Sequence, residues 1–354
     1  MEILKQEQYP EYEAFVRSHI NGGFTQSLNW TKVKNNWQSE VVVSRNKWGN
    51  IVGGALILIM KMPVVGASML YCPRGPVCDY RDKEVLKDLL DGALEVAKQY
   101  NGYILKWDPC VMADDEETTG ILKELGFSFQ PGAKHHETIQ TRHNYLIRLP
   151  QTGTEDDLFM TIGRKSRYCV RYALKNGVEC RVCDKKTGLD DFYRIYQDTG
   201  ARDSFSVRPK EYLERFLDAF GDDIRLYVTY FQEEPITGAI TVQYAGKTCH
   251  VYGATSNQHR ELNANYLMQW EMIRWAFQNH CQIYDFQGVT IDPAEDEHLY
   301  GVYMFKKSFK NGELVEYAGE FNYIINPTAY TLVQSAQKAK DTLGSIKKRF
   351  SGQR

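Results

Sequence analysis

The 354-residue sequence has no apolar run long enough to cross a bilayer. Its longest, Ile51 to Met60, is about half of what a membrane helix needs. That run holds Gly53 and Gly54 and ends at Lys61, which suits a buried strand. The opening residues, Met1-Glu2-Ile3-Leu4-Lys5-Gln6-Glu7, lack an apolar stretch followed by a small-residue cleavage site, so the expected location is cytoplasmic. An excess of one charge is missing as well. With 43 lysines and arginines against 45 aspartates and glutamates, a global positive field is excluded, and any polyanionic partner must meet local patches. Metal-ligand clusters are also lacking. Cys180-Arg181-Val182-Cys183 has zinc-like spacing, but no second such pair and no nearby histidine complete four ligands. The eight scattered cysteines are expected to be free thiols, with no metal and no cofactor.

What is present describes an ordinary globular protein, 43% hydrophobic and 25% charged, with tyrosine unusually frequent at 23. The length favours two domains or a fused pair. Periodicity predicts helices at Tyr9–His19 and Leu28–Asn36, then strands at Glu40–Arg45 and Ile51–Met60 around an Asn46–Asn50 turn. A strand ending in Tyr71-Cys72, a helix Asp82–Gln99 and a strand Tyr103–Trp107 follow, closed by Asp108-Pro109. The second half repeats this order: helices near Leu189–Asp198 and from Pro209, strands Ile224–Phe231, Thr237–Tyr244 and Thr248–Gly253, and a helix Leu262–His280. It then reaches Gln282-Ile283-Tyr284 and its own aspartate, Asp285. An α/β fold of two tandem units is therefore expected, with domains at residues 1–150 and 151–330 and a basic helix or tail at 331–354.

Such strand-hairpin-strand-helix-strand units resemble the N-acetyltransferase-like (GNAT) fold, with mixed central sheets. The glycine-rich turn that holds the pyrophosphate of coenzyme A at a helix N-terminus is found in neither half, which argues against an acyl-coenzyme A donor. Lys306 lies in an aromatic stretch, Tyr303-Met304-Phe305-Lys306. Desolvating an unpaired ammonium is costly, so Lys306 is expected at a strand end facing an anion, with Lys307 pointing the other way. Arg164, Arg167, Arg171 and Lys175 recur at steps of three or four, one stripe of a helix.

Several blocks now stand in order: Phe24-Thr25-Gln26-Ser27-Leu28-Asn29-Trp30 with Val33-Lys34, Pro73-Arg74-Gly75-Pro76-Val77, Trp107-Asp108-Pro109, and Glu137-Thr138-Ile139-Gln140. Arg208-Pro209 with Tyr212, Tyr252-Gly253-Ala254, Tyr284-Asp285-Phe286, and Tyr303 to Lys306 complete the series. By these blocks the chain resembles, over nearly its whole length, the FemABX family of non-ribosomal aminoacyltransferases. The resemblance implies transfer of glycine, alanine or serine from aminoacyl-tRNA to the side-chain amine of a peptidoglycan stem peptide. Thr154 to Gly177 leaves room for a single helix, not the long helical-hairpin arm of FemA and FemB, so the compact FemX type is the nearer likeness. Partners would be aminoacyl-tRNA and a nucleotide-linked muramyl-pentapeptide or lipid II, with the protein a monomer.

For the site, the resemblance implies Lys306 beside the oxyanion or phosphate on the tRNA side. Lys34 and Arg208 would hold the precursor diphosphate, and Tyr103, Ser206, Tyr212 and Tyr252 would line it. Asp108 is the candidate proton acceptor; a cap that turns the chain after its strand is the alternative. Asp285 reads mainly as structural. The stripe Arg164, Arg167, Arg171 and Lys175 is either a solvated helix face or a tRNA contact. The basic tail, Lys338 to Arg354, could lie on the membrane face, grip tRNA or fray. The chain departs from the family at Gln287, where a second glycine is common. Two other classes stay open: a non-catalytic precursor- or tRNA-binding protein, and an acyl-coenzyme A transferase.

Overall fold

A computed structural model describes residues 1–63, 66–129, 138–203, 205–291, 293–294 and 299–338. These form two compact units. The first takes residues 1–15, 34–129 and 318–338, and the second residues 16–33 and the described part of 138–317.

The first unit holds a mixed sheet in the order Glu2–Ile3, Gln38–Arg45, Ile51–Lys61, Ser68–Cys72, Gly102–Trp107, Phe321–Ile324, Ser128–Phe129, with Val77–Cys78 also paired to Ile51–Lys61. Asn46 makes the hairpin by accepting from the backbone N–H of Trp48 and of Asn50, each at 3.0 Å. One pair, Ser68–Cys72 with Gly102–Trp107, is parallel, and a parallel pair needs a crossover. The helix Lys83–Gln99 supplies it. Asp82 caps its first turn at Val85 N (3.0 Å), while Leu86, Leu89, Ala93 and Val96 face the core.

The second unit repeats the plan with the order Gly312–Glu316, His143–Arg148, Ile283–Gly288, Lys247–Thr255, Glu234–Tyr244, Ile224–Phe231, Val178–Cys183. Again one pair is parallel, Lys247–Thr255 with Ile283–Gly288, and the helix Ala264–Gln278 crosses over. That helix buries residues around most of its circumference, among them Leu267, Trp270, Met272, Ile273 and Ala276. The expected doubled α/β architecture with mixed sheets is thus the observed one.

The boundaries differ from a linear cut at 150 and 330. His143–Arg148 is a strand of the second sheet, and Phe321–Ile324 returns to the first, where Phe321 stacks on Phe129 at 5.1 Å. Residues 16–33 belong to the second unit through aromatic packing: Trp30 lies 5.8 Å from Phe216, and Phe24 6.1 Å from Phe220. Each sheet is closed by antiparallel strands drawn from distant sequence, which local periodicity does not register. The helix expected to Asn36 stops at Val33. Thr154–Gly177 holds two helices, Glu155–Thr161 and Arg164–Lys175, not one. Gly163 sits at the break because a Cβ there would fall 2.1 Å from the Ser308 carbonyl oxygen. Residues 327–338 are helical, and 339–354, most of the basic tail, lie outside the described residues, as does Glu137. Cys180 and Cys183 are free thiols three positions apart on one strand, hence on opposite faces. Among the described residues, no helix is long and apolar enough to cross a membrane.

Candidate functional site: a parted strand pair filled by a lysine

The parallel strands of the second unit pair only from Lys247 opposite Ile283 to Cys249 opposite Asp285. Beyond that point each bulges against its outer neighbour: Val251 is an extra residue beside Ile240 and Thr241, and Phe286 with Gln287 faces Tyr145 alone. Bulges of this kind end pairing and re-aim backbone groups. Here they leave the carbonyls of residues 286–288 beyond the stretch that pairs with Lys247–Thr255.

Lys306 takes all three. It lies in the helix Tyr300–Lys307, is only 8% exposed, and its Nζ donates to the carbonyl oxygens of Phe286 (2.8 Å), Gln287 (3.2 Å) and Gly288 (2.6 Å). An ammonium has three N–H donors, and each is used. One expectation is therefore corrected: Lys306 is helical rather than at a strand end. Within the protein its Nζ is held by backbone dipoles. Burial pushes its pKa down to about 8, against the pull of the Asp285 carboxylate. Lys307 is exposed and donates to the Tyr303 hydroxyl at 2.9 Å.

Asp285 organises the bulge, in keeping with a structural role. It accepts from Asn144 Nδ2 (3.2 and 2.9 Å), from Gln287 N (2.6 Å) and from Gln287 Nε2 (2.9 Å). Gln287 adopts φ 60°, the left-handed region that glycine occupies at no steric cost. Its side chain folds back on Asp285 and holds that backbone in place.

Sequence reasoning missed the polar line behind Lys306. Tyr284 donates to Gln269 Oε1 (2.6 Å), and Gln269 Nε2 meets His250 Nδ1 (3.0 Å). Burial, then the nearby Lys306 charge, pushes the His250 pKa down to about 3, so the imidazole is neutral. A glutamine set between Leu267-Met268 and Trp270 was the readable sign.

Two residues further along the same strand, Tyr252 shares a hydrogen bond with Tyr212, and Arg208 reaches Tyr252. The Arg208 guanidinium lies 5.3 Å from the Tyr212 ring centroid. Burial raises both tyrosine pKa values, and Phe216 and Tyr196 each stand 6.0 Å from the Tyr252 ring. The structure thus joins Arg208, Tyr212 and Tyr252. Ser206 is exposed on the loop that leads to Arg208.

On the helix Arg164–Lys175 the cationic stripe is real but not uniform. Arg167 Nη1 donates to the carbonyls of Met160 (2.9 Å) and Ile162 (2.5 Å), finishing the preceding helix, and Arg171 sits 5.1 Å over Phe159. Arg164 and Lys175 are exposed. Tyr168, 65% exposed, stacks on Tyr172 at 6.0 Å, and together with Arg171, Lys175 and Asn176 they line a shallow hollow. The stripe was legible; the tyrosines interleaved with it were missed.

Three expected residues lie in the first unit. Asp108, 1% exposed, follows Trp107 directly and accepts from the Tyr71 hydroxyl (2.6 Å) and the Arg74 backbone N–H. Burial raises its pKa to about 7, against the lowering pull of Arg74 and Tyr71. Tyr103 is buried, its ring 6.5 Å from Tyr330. Lys34 is half-buried in the turn after Leu28–Val33.

The doubled mixed sheets with one helix-crossed parallel pair each define a tandem GNAT-type architecture, which a tandem GNAT protein from the clavulanic acid biosynthesis pathway shares (TM-score 0.54, 11% identity, 92% of this chain and 98% of that one). The sequence model of the FemAB family matches residues 7–234 and 228–338, so the chain belongs to that family. The crystal structure of FemX superposes with a TM-score of 0.85 at 28% identity, covering 94% of this chain and 100% of that chain. Lipid II:glycine glycyltransferases are also similar. The one from Staphylococcus epidermidis is 30% identical and that from Staphylococcus aureus 29%, each over 95% of this chain and 96% of its own length.

Proposed function

We propose that the protein transfers an amino acid, with glycine the first candidate and alanine or serine the others, from aminoacyl-tRNA to the side-chain amine of a peptidoglycan-precursor stem peptide. The observation that carries this reading is Lys306, a nearly buried ammonium at a parted strand pair, in a family whose relatives include lipid II:glycine glycyltransferases. Those names favour lipid II over a nucleotide-linked precursor; a reaction at the cytoplasmic membrane face by a monomeric protein is part of the same proposal.

The chemistry follows from the substrates. The acceptor amine attacks the ester carbonyl, the C–O bond to the tRNA ribose breaks, and the ribose oxygen leaves with the proton that the amine gives up. Two groups are needed: a cation for the oxyanion and an acceptor for the proton. Lys306 supplies the first by exchanging one carbonyl partner, and Gln287 O at 3.2 Å is the longest of the three. Asp108 is the candidate for the second, because a carboxyl with a pKa near 7 is divided between its two forms at neutral pH. Arg208, Tyr212, Tyr252 and Ser206 are assigned to the precursor diphosphate and sugar, where charge-assisted and hydroxyl donors suit phosphate oxygens; for Lys34 and Tyr103 the assignment to the precursor rests on the resemblance. Arg164, Arg171 and Lys175 are assigned to tRNA phosphates; Arg167, spent on its own chain, contributes through the loop it holds. Exposed tyrosines among those cations add stacking faces for unpaired bases at the acceptor end.

The test is direct. Purified protein is incubated with charged tRNAs and both precursor forms, and the product is followed by mass. A single-residue addition to lipid II with glycyl-tRNA is expected; intact binding with no transfer from any pairing overturns the enzymatic reading.

A further inference from the structure

Gln287 stands in a chain of linked contacts. Thr141 Oγ1 donates to Asn144 Oδ1 (2.6 Å), Asn144 Nδ2 donates to Asp285, and Asp285 receives both the backbone and the side-chain N–H of Gln287. From the other side Gln287 gives its own carbonyl to Lys306, flanked by the carbonyls of Phe286 and Gly288. Phe286 is buried and anchored edge-on against Tyr145 (5.7 Å) and Tyr284 (5.0 Å), so one flank of the bulge is packed. Gln287, on the other flank, takes a left-handed backbone that favours glycine and is tied to Asp285 by two hydrogen bonds.

We propose that Gln287 is a positioning residue: its fold-back onto Asp285 sets the carbonyl triad that holds Lys306, and the Gln287 carbonyl is the partner Lys306 gives up when a substrate oxygen arrives. The geometry supports each half. Asp285 fixes the Gln287 N–H, which shares its peptide plane with the Phe286 carbonyl, and the Gln287 side chain, so the bulge that presents the carbonyls is tied at two points. The Gln287 carbonyl is also the most weakly held of the three, at 3.2 Å against 2.8 and 2.6 Å, so its release costs Lys306 least. The charged or titratable groups coupled to Lys306 are Asp285 on the strand Ile283–Gly288 and His250 on Lys247–Thr255, and the substitution that tests Gln287 leaves both in place.

The proposal is tested with Gln287→Leu, which keeps bulk and removes the Nε2 donor, and Gln287→Gly, which suits φ 60° and so folds even where leucine does not. The first measurement is acetylation of Lys306 by acetic anhydride across pH, followed by peptide mass. It needs no substrate and stands independently of the proposed activity. In both variants the plateau rate is expected to rise several-fold, and the midpoint to move upward from about 8 toward the free-lysine value of 10.5 as water reaches the ammonium. Unchanged plateau and midpoint in both variants overturn the proposal. The second measurement rests on the transferase reading: kcat is expected to fall about tenfold with the acceptor KM unchanged, because only Lys306 is displaced. A rise in KM with kcat intact would place Gln287 in acceptor binding and overturn the positioning role.

Discussion

The two parallel strand pairs were built to one plan and end differently. In the first unit Ser68–Cys72 and Gly102–Trp107 shift register once, after Ser68, and then run in step from Met69 opposite Ile104 to their last residues, Cys72 opposite Trp107. Asp108 then sews the end shut by receiving Tyr71 and the Arg74 backbone, a position so buried that the carboxyl is raised to about 7. In the second unit the pair opens after Cys249 and Asp285, and the aspartate looks sideways to Asn144 and Gln287 while Lys306 enters the gap. One aromatic-Asp strand end therefore closes a sheet, and its counterpart opens one. The difference teaches that the same local signal serves packing where the strands end together and presents backbone dipoles where they part.

The sharpest way to break this comparison is Lys306→Met. If the lysine merely plugs the gap, its loss shows in stability with turnover little altered. If it stabilises the oxyanion, turnover falls by about 10²–10³, the range for removing one such donor, with the melting temperature changed less. The assay is single-turnover transfer beside a thermal melt.

Next in size is Asp108→Ala against Asp285→Ala. The first strands two buried donors and leaves a small void, a loss of roughly 3–5 kcal/mol. The second removes a half-buried carboxylate, one of whose donor residues, Gln287, is itself half-buried and can turn to water while Asn144 keeps its bond with Thr141, and about 1–2 kcal/mol is expected. Urea unfolding compares them, and equal losses would erase the distinction between a closing and an opening aspartate.

Third is the pH dependence of the closed end. A carboxyl raised from 3.8 to about 7 binds its proton more tightly when folded, so its contribution is full below pH 3.8 and is lost as pH rises to about 7. Asp108→Asn keeps an acceptor for Arg74 N and a polar partner for Tyr71 but cannot ionise. The stability difference, variant minus wild type, should thus climb by about 2–4 kcal/mol between pH 4 and pH 8 and stay flat above. A difference that does not vary with pH would show Asp108 to be an ordinary satisfied carboxylate.

How far these ends were readable follows from what each depends on. The doubled order of elements, the Asn46 hairpin, the Asp82 cap and both aromatic-Asp strand ends are local, and the sequence carries them in residue type and spacing. The parting of Lys247–Thr255 from Ile283–Gly288 is set by two bulges, one against the hairpin neighbour Glu234–Tyr244 and one against His143–Arg148 far back in the sequence, so Lys306 could be singled out while its partners could not. The same limit hid His143–Arg148 and Phe321–Ile324, whose sheet membership depends on distant edges. Arg208, Tyr212 and Tyr252 were named by resemblance and meet in the structure. Arg167 was named by helical spacing alone, which says nothing of the carbonyls left unsatisfied at the end of the helix before it.

The smallest effect is the most discriminating for the open end. Asn144→Ala removes one side-chain bond system from Asp285 and leaves Gln287 its two, so stability should fall by only about 1 kcal/mol. Because Asn144 also ties Thr141 into that set, the variant lets the Asp285 carboxylate swing while the covalent bulge survives. If the open end works as a linked support for Lys306, turnover should drop two- to threefold while the response of the closed end to pH, read in the Asp108→Asn background, is untouched. Additivity of Asn144→Ala and Gln287→Leu in log kcat would separate the two contacts, whereas a double variant no worse than Gln287→Leu alone places Asn144 upstream of Gln287 in one support.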